Sequence, residues 1–404
     1  MKIAVYHNLP SGGGKRALYE MTRRLATRHT IDVYTLSCAE HDFCDLRPFA
    51  QQHVVTPFKP VPLARRPFGR INQGLRAVTL LRVHRLQKKI AQQIDAVGYD
   101  VVFTHNCQFL QCPSVLSFLH TPSVYYCGEP PRHIYEPRLA RPYNALTSQQ
   151  RAMNHLDPLP ALYRTTLARL DRKNLQAATC VLSNSAFTRE NLYRIYGISA
   201  HIGYLGVDAE LFHPLALPRK DFILSVGMLN PQKGFDFLMR GLALLDQARR
   251  PRLVIVCNNG DEREQDYLTT LAQELQVTVE FRAQIADDEL VRLYNQARLC
   301  VYTPVMEPFG FVPLEAQACQ TPVVGVREGG VRESIIHGET GVLVDREPAA
   351  LAAAIGELLD RTAEADRLGK NGRSNVEQQW TWATSIKKIE HYLTDTAEST
   401  RRGL

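Results

Sequence analysis

Several patterns that would assign this 404-residue chain to a class are missing from its sequence. It has no run of about 18 apolar residues that could span a bilayer. Its strand-like start leaves no room for the apolar core of a signal peptide. The nine cysteines include no Cys-x-x-Cys pair, which argues against a disulfide scaffold. We therefore expect a cytoplasmic protein with reduced thiols and, at this length, two or three domains.

Common catalytic signatures are missing as well. The thirteen histidines show no H-E-x-x-H pattern and no Cys/His spacing of a zinc site. There is no G-x-S-x-G motif, and no single cysteine is marked out as a nucleophile. We expect no bound metal and no cofactor.

Acidic residues are missing between Asp45 and Asp95. This segment carries only basic charges, at Arg47, Lys59, Arg65, Arg66, Arg70, Arg76, Arg82, Arg85, Lys88 and Lys89. Such a run attracts an anionic membrane surface, or it forms a solvated helix face whose acidic partners lie elsewhere in the fold. Without interleaved aromatic residues it does not indicate nucleic-acid binding. Candidate contacts to the acceptor or to a membrane are Arg65, Arg66, Arg70 and Arg76.

The hydrophobic pattern predicts an α/β fold. Short β-branched runs such as Lys2–Asn8 and Ser123–Cys127 alternate with amphipathic stretches such as 75–97. This alternation is typical of parallel sheets covered by helices. It forms two series, which predict two Rossmann-like, doubly wound domains facing each other across a cleft. We expect the domains at 1–206 and 207–380, followed by a C-terminal helix, 381–404, that crosses back to the first domain.

Glycines follow the first strand of each series. Gly12, Gly13 and Gly14 precede Lys15 and Arg16, and the turn matches neither Walker A nor G-x-G-x-x-G. It suits either phosphate contact through Gly13 and Gly14 or a plain tight turn. In the second series, Gly227 ends a strand and Lys233-Gly234 precedes a helix. A lysine at the carboxyl end of such a strand supplies a charge for phosphate; otherwise it is a surface residue.

The most informative segment runs from Glu307 to Glu315. Pro313 suits the first turn of a helix, and we expect Glu315 within that turn. The N–H groups of Gly310, Phe311 and Val312 would then face an anion, with the helix dipole behind them.

The two carboxylates of this segment could be an acid–base pair, as in glycosidases, but their spacing makes this the weaker of two interpretations. Eight residues on an ideal helix rotate by about 800°, so Glu307 and Glu315 would not share a face. We interpret them as acceptors for hydroxyl groups. Gly329 and Gly330, between a later strand and helix, predict a second nest of backbone amides at the same cleft.

These segments together resemble the retaining GT-B glycosyltransferases of family GT4 over nearly the whole chain. The resemblance is carried by 12–16, Asn184-Ser185, Gly206-Val207-Asp208, Lys233-Gly234, the E-x7-E pair Glu307/Glu315, 321–324 and Glu328-Gly329-Gly330. It implies an acceptor in the first domain and a nucleotide-sugar donor in the second. Lys233 would neutralise the diphosphate, Glu307 would hold sugar hydroxyls and Glu315 the ribose. Gly310, Phe311 and Val312 would contact the sugar or phosphate through their amides, with Gly13, Gly14, Gly227, Gly329 and Gly330 around the donor.

Two positions depart from the family pattern. Met228 stands where the family usually places an arginine beside the diphosphate, so Arg327, Arg332 or the Lys15/Arg16 pair would have to replace it. Gly128 stands where a mannosyltransferase-type segment has its histidine. The neighbouring Glu129 could take over a contact to sugar or acceptor, which makes it a catalytic candidate beside Lys233 and Glu307.

The resemblance thus implies a metal-independent, retaining hexosyltransferase of polysaccharide or glycolipid biosynthesis. The donor would be a GDP- or UDP-linked sugar, and the segment around Pro130-Pro131-Arg132 favours mannose. The acceptor would be a glycan, a glycolipid or a lipid-linked group, reached in the cytoplasm or at the cytoplasmic membrane face. A nucleotide-sugar epimerase fits the motifs less well. A catalytically impaired, nucleotide-sugar-binding or scaffold protein is the alternative that Met228 and Gly128 support.

Overall fold

The computed structural model describes residues 1–65, 71–145, 147, 157–257 and 260–401. The chain forms two compact units. The first unit comprises Met1–Arg138, Leu146–Tyr204 and Ser385–Leu404, and the second comprises Leu139–Ala145 and Leu205–Thr384. The boundaries fall after residues 204 and 384, where the sequence predicted 206 and 380. The seven residues of 139–145, predicted within the first domain, cluster with the second unit.

The first unit is built on a seven-stranded sheet with the order β3-β2-β1-β4-β5-β6-β7. Its strands are β1 Lys2–Asn8, β2 Thr30–Leu36, β3 Gln52–Thr56, β4 Val101–Cys107, β5 Ser123–Cys127, β6 Cys180–Ser183 and β7 His201–Ile202. Its helices are α1 Gly13–Leu25, α2 Asn72–Asp95, α3 Arg132–Tyr135, α4 Leu159–Gln176 and α5 Ala186–Tyr196. All neighbouring strands run parallel.

The central strand of this sheet shows why the segment folds as it does. From Ile3 to Tyr6 every residue of β1 is fully buried, because helices cover both faces of a parallel sheet. Local signals place the helices between the strands. The Ser185 side chain accepts the Thr188 N–H at 2.9 Å at the start of α5, and Gly197 ends this helix in the left-handed conformation, with φ 73°.

The second unit contains a six-stranded parallel sheet with the order β10-β9-β8-β11-β12-β13. Its strands are β8 Lys220–Val226, β9 Arg252–Cys257, β10 Val279–Ala283, β11 Ala297–Tyr302, β12 Val323–Val326 and β13 Val342–Val344. Its helices are α6 Phe235–Ala243, α7 Glu262–Glu274, α8 Asp287–Gln296, α9 Phe311–Ala318, α10 Val331–Ser334, α11 Pro348–Asp360 and α12 Thr362–Gln379. The order confirms a doubly wound sheet whose strand order reverses beside β8.

The last helix, α13 Trp382–Arg401, begins in the second unit and continues into residues of the first. In this helix Glu390 Oε1 lies 2.7 Å from His29 Nε2, and the Ser385 hydroxyl donates to the Tyr204 carbonyl at 2.5 Å. Both bonds lie within the first unit. Among the described helices, none combines the length and apolar character that a membrane crossing requires.

Candidate active site

The predicted phosphate lysine and the predicted sugar-binding carboxylate meet in the second unit. Lys233 Nζ donates to Glu307 Oε2 at 2.9 Å, and the two side chains are 20% and 15% exposed. The pair is therefore partly screened from water but reachable by a ligand. A diphosphate that approached Lys233 would compete with Glu307 for the ammonium group, and the carboxylate would then turn to hydroxyl groups of the ligand.

The loop that carries Lys233 is fixed by close backbone packing. Residues Pro231–Lys233 form one 3-10 turn, and Gly234 follows with φ 66°. A Cβ atom on Gly234 would lie 2.1 Å from the carbonyl oxygen of Thr303, so only glycine fits. The Val305 N–H donates to the Gln232 carbonyl at 2.7 Å. The carboxyl ends of β8 and β11 thereby hold the lysine in place.

The segment from Glu307 to Glu315 is organised by two buried tyrosines. The Tyr294 hydroxyl donates to Glu315 Oε2 at 2.8 Å, and Glu315 is 7% exposed. Burial, together with the charges of Glu307 and Glu315, raises the pKa of Tyr302. A Cβ atom on Gly310, where φ is 83°, would lie 2.9 Å from the Tyr302 ring. Neither tyrosine was named from the sequence, because both lie in ordinary apolar helix and strand patterns.

Helix α9 has Pro313 in its first turn, as the sequence predicted. It starts at Phe311, with Gly310 as the preceding cap residue. Glu315 is therefore its fifth residue, beyond the first turn in which we expected it. Within the part of the chain that the structure describes, the amides of Gly310, Phe311 and Val312 have no hydrogen-bond acceptor. These unengaged N–H groups, with the helix dipole behind them, are the kind of donors that can bind an anion.

The two glycines of the following loop serve a packing role. A Cβ atom on Gly329 would lie 2.3 Å from the Glu307 carbonyl oxygen, and one on Gly330 would lie 2.4 Å from the Pro308 carbonyl oxygen. The Gly330 N–H donates to the Glu307 carbonyl at 2.8 Å. The amide of Gly330 is thus already engaged, and the prediction of a second open nest is wrong at this residue. The glycines instead let the two loops touch, which fixes Glu307.

A further arginine, missed from the sequence, ties these loops together. The Arg346 guanidinium donates to both carboxylate oxygens of Glu328, at 2.7 and 2.8 Å, and to the carbonyls of Thr303 and Pro304. This fork joins the ends of β11, β12 and β13. A lone arginine after a short strand gives no signal in a sequence.

The structure limits which cation could replace the arginine missing at Met228. Met228 itself is 45% exposed. Arg327 donates to the Leu343 carbonyl at 3.1 Å and lies 3.7 Å from Asp345, and Arg332 donates to the Gly329 carbonyl at 3.0 Å. Both side chains are therefore held by their own loops. Lys15 and Arg16 belong to the first unit.

A buried arginine of the segment 139–145 lies beside the loop that carries Lys233. Arg141 is 9% exposed and forms ion pairs at 3.0 Å with both Asp236 and Glu264. The Tyr143 hydroxyl also donates to Glu264, at 2.5 Å. The guanidinium additionally lies 3.5 Å from the Pro231 carbonyl. We call this group of four side chains, with Tyr267 under the Arg141 guanidinium, the Arg141 cluster.

The remaining predicted residues lie in the first unit. Gly13 and Gly14 are the first two residues of α1. Glu129 follows β5, and its carbonyl accepts from Gln111 at 2.8 Å. Arg65 and Arg76 are exposed, whereas Arg66 and Arg70 lie outside the described residues. The structure thus brings Lys233, Glu307, Glu315 and residues 310–312 together in the second unit, and it places Glu129, Gly13 and Gly14 in the first.

Two family models match successive parts of the chain. The model described as Glycosyltransferase Family 4 matches residues 11–211, and the model described as Glycosyl transferases group 1 matches residues 208–375. Together they cover both units. Their junction falls close to residue 205, where the second unit resumes.

Individual relatives agree with these models. A D-inositol 3-phosphate glycosyltransferase from Catenulispora acidiphila is 33% identical over 238 residues, which are 53% of this chain and 57% of the relative. One from Acidothermus cellulolyticus is 35% identical over 213 residues, 47% of this chain and 48% of the relative. The chain thus spans about half the length of the curated relatives that it matches.

Solved structures show the same fold. Anabaena HepE in complex with UDP and glucose superposes with a TM-score of 0.72 at 21% identity, covering 98% of this chain and 100% of that one. The sucrose-phosphate synthase of Thermosynechococcus elongatus gives a TM-score of 0.70 at 22% identity, covering 97% and 98%. These similarities show that the two Rossmann-like units are those of the GT-B fold. With that fold and two models of one family matched in succession, the chain belongs to the glycosyltransferases of family GT4.

Proposed function

We propose that this protein is a retaining glycosyltransferase that moves a hexose from a nucleotide-diphosphate sugar to a glycan or a lipid-linked acceptor. The observation that carries the proposal is the Lys233–Glu307 ion pair beside the unengaged amides of 310–312. One arrangement therefore offers a cation and N–H donors for a diphosphate, and a carboxylate for sugar hydroxyls.

The transfer would proceed without a metal ion. Lys233 and the α9 amides would stabilise the negative charge that develops on the diphosphate as its bond to the anomeric carbon breaks. The acceptor oxygen would form the new bond to that carbon, and its proton would pass to the leaving diphosphate. Glu307 would hold the sugar and Glu315 the ribose, so that the reacting atoms are aligned.

UDP- and GDP-linked donors both remain within the proposal. UDP is favoured by the UDP and glucose bound to Anabaena HepE, and GDP-mannose by the segment around Pro130-Pro131-Arg132. The residues of the second unit give less information about the acceptor than about the donor.

A cytoplasmic location at a membrane surface is the second part of the proposal. On α2 the exposed side chains of Val78 and Leu81 are followed, along the same face, by Arg82, Arg85 and Lys89. The apolar residues could enter the headgroup region while the basic residues contact anionic lipids. This would place a lipid-linked acceptor near the enzyme.

The competing proposal is a nucleotide-sugar-binding scaffold without turnover. It is supported by Met228, since the exposed thioether leaves Lys233 as the side-chain cation at the phosphate loop. The two proposals differ in one measurable respect, because both predict donor binding but only the first predicts turnover.

The test is thermal stabilisation by a panel of nucleotide sugars in the presence of EDTA, followed by hydrolysis of any donor that binds. A donor at 100 times its dissociation constant should stabilise the folded state by about 2.7 kcal/mol. Slow hydrolysis of one donor, lowered by about 10²–10³-fold in Glu307→Gln and kept in the control Glu339→Gln, would support the transferase. Binding without hydrolysis would favour the scaffold. No stabilisation by any nucleotide would overturn both.

A further inference from the structure

The guanidinium of Arg141 contacts the chain both before and after Lys233. Its Nη2 donates to the Pro231 carbonyl at 3.5 Å, in the turn that leads to Lys233. Its two terminal nitrogens donate to the two carboxylate oxygens of Asp236, at 3.0 and 3.2 Å, in the first turn of α6. Two parallel bonds of this kind fix direction as well as distance. Arg141 therefore holds the turn before Lys233 and the helix after it in one arrangement.

Arg141 is itself held by a residue of α7. Its Nε donates to both carboxylate oxygens of Glu264 at 3.1 Å, and its Nη2 donates to one of them at 3.0 Å. The Tyr143 hydroxyl donates to the same carboxylate, and the guanidinium lies 5.1 Å from the centroid of the Tyr267 ring. Glu264 is the third residue of α7 and 1% exposed. A planar group with so many partners cannot move without breaking several bonds, so Arg141 is a rigid support.

A second support for the Lys233 loop comes from the end of β11. The Thr303 hydroxyl donates to the Gly234 carbonyl at 3.0 Å. The loop backbone is thus fixed both by β11 and by Arg141. The Lys233 ammonium is bonded to Glu307 at 2.9 Å. Because a lysine side chain is a flexible stem with a point charge, the place of this ammonium depends on the backbone that carries it.

A comparison with Arg250 indicates that Arg141 does more than join two helices. Arg250 already connects α6 and α7 at their carboxyl ends. Its guanidinium donates to four backbone carbonyls there, those of Ala243, Leu245, Leu275 and Gln276. At the amino ends Arg141 instead engages two carboxylates. Buried ion pairs add little stability compared with apolar packing, so this arrangement beside Lys233 favours a role in fixing geometry.

We propose that Arg141 is a positioning residue for Lys233, which sets the place of the ammonium relative to Glu307 and to the diphosphate of a bound donor. It acts through the backbone, by fixing Pro231 and Asp236. The contact of Lys233 with a diphosphate rests on the proposed function, whereas the positioning of the Lys233–Glu307 ion pair does not. None of the motifs that carry the family resemblance includes this arginine.

The first experiment measures how fast individual lysines of the ligand-free, full-length protein are acetylated by acetic anhydride, with mass spectrometry as the readout. The variant combines Arg141→Met with Glu264→Gln, so that no buried carboxylate loses its cation; Asp236 is 21% exposed and stays solvated. We expect Lys233 to react roughly threefold faster, the factor for loss of a partly exposed ion pair, because its ammonium would no longer be held at Glu307.

Two controls separate positioning from a general loosening of the second unit. Lys220 and Lys370 are the other lysines of 205–384, and their rates should stay unchanged. Arg250→Met removes an arginine from the opposite ends of the same two helices, and it should leave the Lys233 rate unchanged. An unchanged Lys233 rate in the double variant would overturn the proposal. So would an equal increase at all three lysines, or the same increase at Lys233 in Arg250→Met.

A second measurement distinguishes failure of this inference from failure of the proposed function. Calorimetry compares UDP with UMP, and GDP with GMP, in the wild type and in the double variant. We expect the diphosphate that binds to lose affinity roughly tenfold, about the contribution of one charge-assisted contact, and the monophosphate to be unaffected. An equal loss for the monophosphate would overturn the inference. Faster acetylation of Lys233 without nucleotide binding by the wild type, or with an unchanged diphosphate affinity, would overturn only the role of Lys233 in the proposed function.

Discussion

Each unit carries glycine and a lysine shortly after its first strand, Lys15 at the start of α1 and Lys233 in a 3-10 turn, but the two lysines have opposite surroundings. In the second unit Lys233 is 20% exposed and bonded to Glu307 at 2.9 Å. In the first unit Lys15 is 2% exposed and has no carboxylate bound to it in the described chain. The same strand-turn-helix pattern thus produces one site that is neutral by itself and one that retains a net positive charge.

The comparison shows what a ligand has to do at each lysine. At Lys233 a bound anion would replace an existing partner, so binding would exchange one ion pair for another and would free Glu307 for hydroxyl groups. At Lys15 an anion would supply the first partner of a buried charge. The first arrangement suits a substrate that must be bound and released with a changed charge, whereas the second leaves a buried charge that lowers the stability of the folded protein.

The largest expected effect comes from creating an uncompensated charge in the second unit. Arg141→Met would leave Glu264, whose side chain is 1% exposed, without its cation. Breaking a buried ion pair in this way costs about 3–5 kcal/mol. We therefore expect the urea midpoint of the unfolding of the second unit to fall. Fluorescence and circular dichroism measure this unfolding. Glu264→Gln combined with Arg141→Met should recover part of the loss, and an unchanged midpoint in the single variant would contradict a role for the Arg141 cluster.

A substitution at Glu307 would leave Lys233, like Lys15, without a bound carboxylate. Glu307→Gln removes the internal partner of the ammonium, so we expect UDP or GDP to bind severalfold more tightly. Donor turnover should fall by about 10²–10³-fold, the range for loss of one aligned electrostatic contact in a transition state. Calorimetry and donor hydrolysis measure the two effects. Weaker nucleotide binding in this variant would show that Glu307 does not compete for Lys233.

The reverse change removes the buried charge from the first unit. In the folded state the pKa of Lys15 is about 8, below its ordinary value near 10.4. The unfolded chain therefore binds the proton more tightly, and the free energy of unfolding rises with pH between these values. Lys15→Met should stabilise the ligand-free protein by about 1–3 kcal/mol at pH 7, and this advantage should shrink as the pH approaches 10.

Denaturant unfolding of the wild type and of Lys15→Met at pH 7 and 10 measures this difference. The groups whose titration is coupled to that of Lys15 are His7, His105, His53, Glu40, Cys44, Asp45 and Arg47, so the comparison reports Lys15 together with its effect on these neighbours. A Lys15→Met protein that is less stable than the wild type at pH 7 would mean that the ammonium already has a partner.

The smallest effect concerns basic residues that are fully solvated. Arg65 and Arg76 are exposed, so each should contribute to anionic liposome binding by roughly fivefold and in a salt-dependent manner. We expect sedimentation with phosphatidylserine vesicles to weaken in Arg65→Gln/Arg76→Gln and in high salt. Vesicle binding that is the same in the variant and in high salt would rule out the electrostatic account. Arg28→Gln provides a control outside the basic segment between Asp45 and Asp95.

Much of the fold and part of the site followed from local sequence patterns. The alternation of strands and helices predicted both sheets, because burial on both faces leaves continuous apolar runs. Lys233, Glu307 and Glu315 were predicted as one group, since they follow neighbouring strands. The prediction of an open anion nest at Gly330 was wrong. A glycine that is required because another loop packs against it cannot be distinguished in sequence from a glycine that binds an anion.

The residues that sequence reasoning missed depend on distant partners. Arg141 and Glu264 are separated by 123 residues, and no spacing rule connects them. Arg346 reaches Glu328 and the end of β11 only after the sheet has formed. Likewise, His7, Thr35 and His105, whose buried polar atoms lack hydrogen-bond partners among the described residues, come together only when three strands lie side by side.

The segment 139–145 limits how the two units could be exchanged between related genes. The chain passes from one unit to the other four times, after residues 138, 145, 204 and 384. A gene fragment for 205–384 would therefore encode a donor-side unit lacking Arg141, with the carboxylates of Asp236 and Glu264 facing a missing guanidinium. An exchange of the second unit between related genes would have to include these seven residues as well. Residues 139–145, although encoded in the first half of the gene, would therefore evolve together with 205–384.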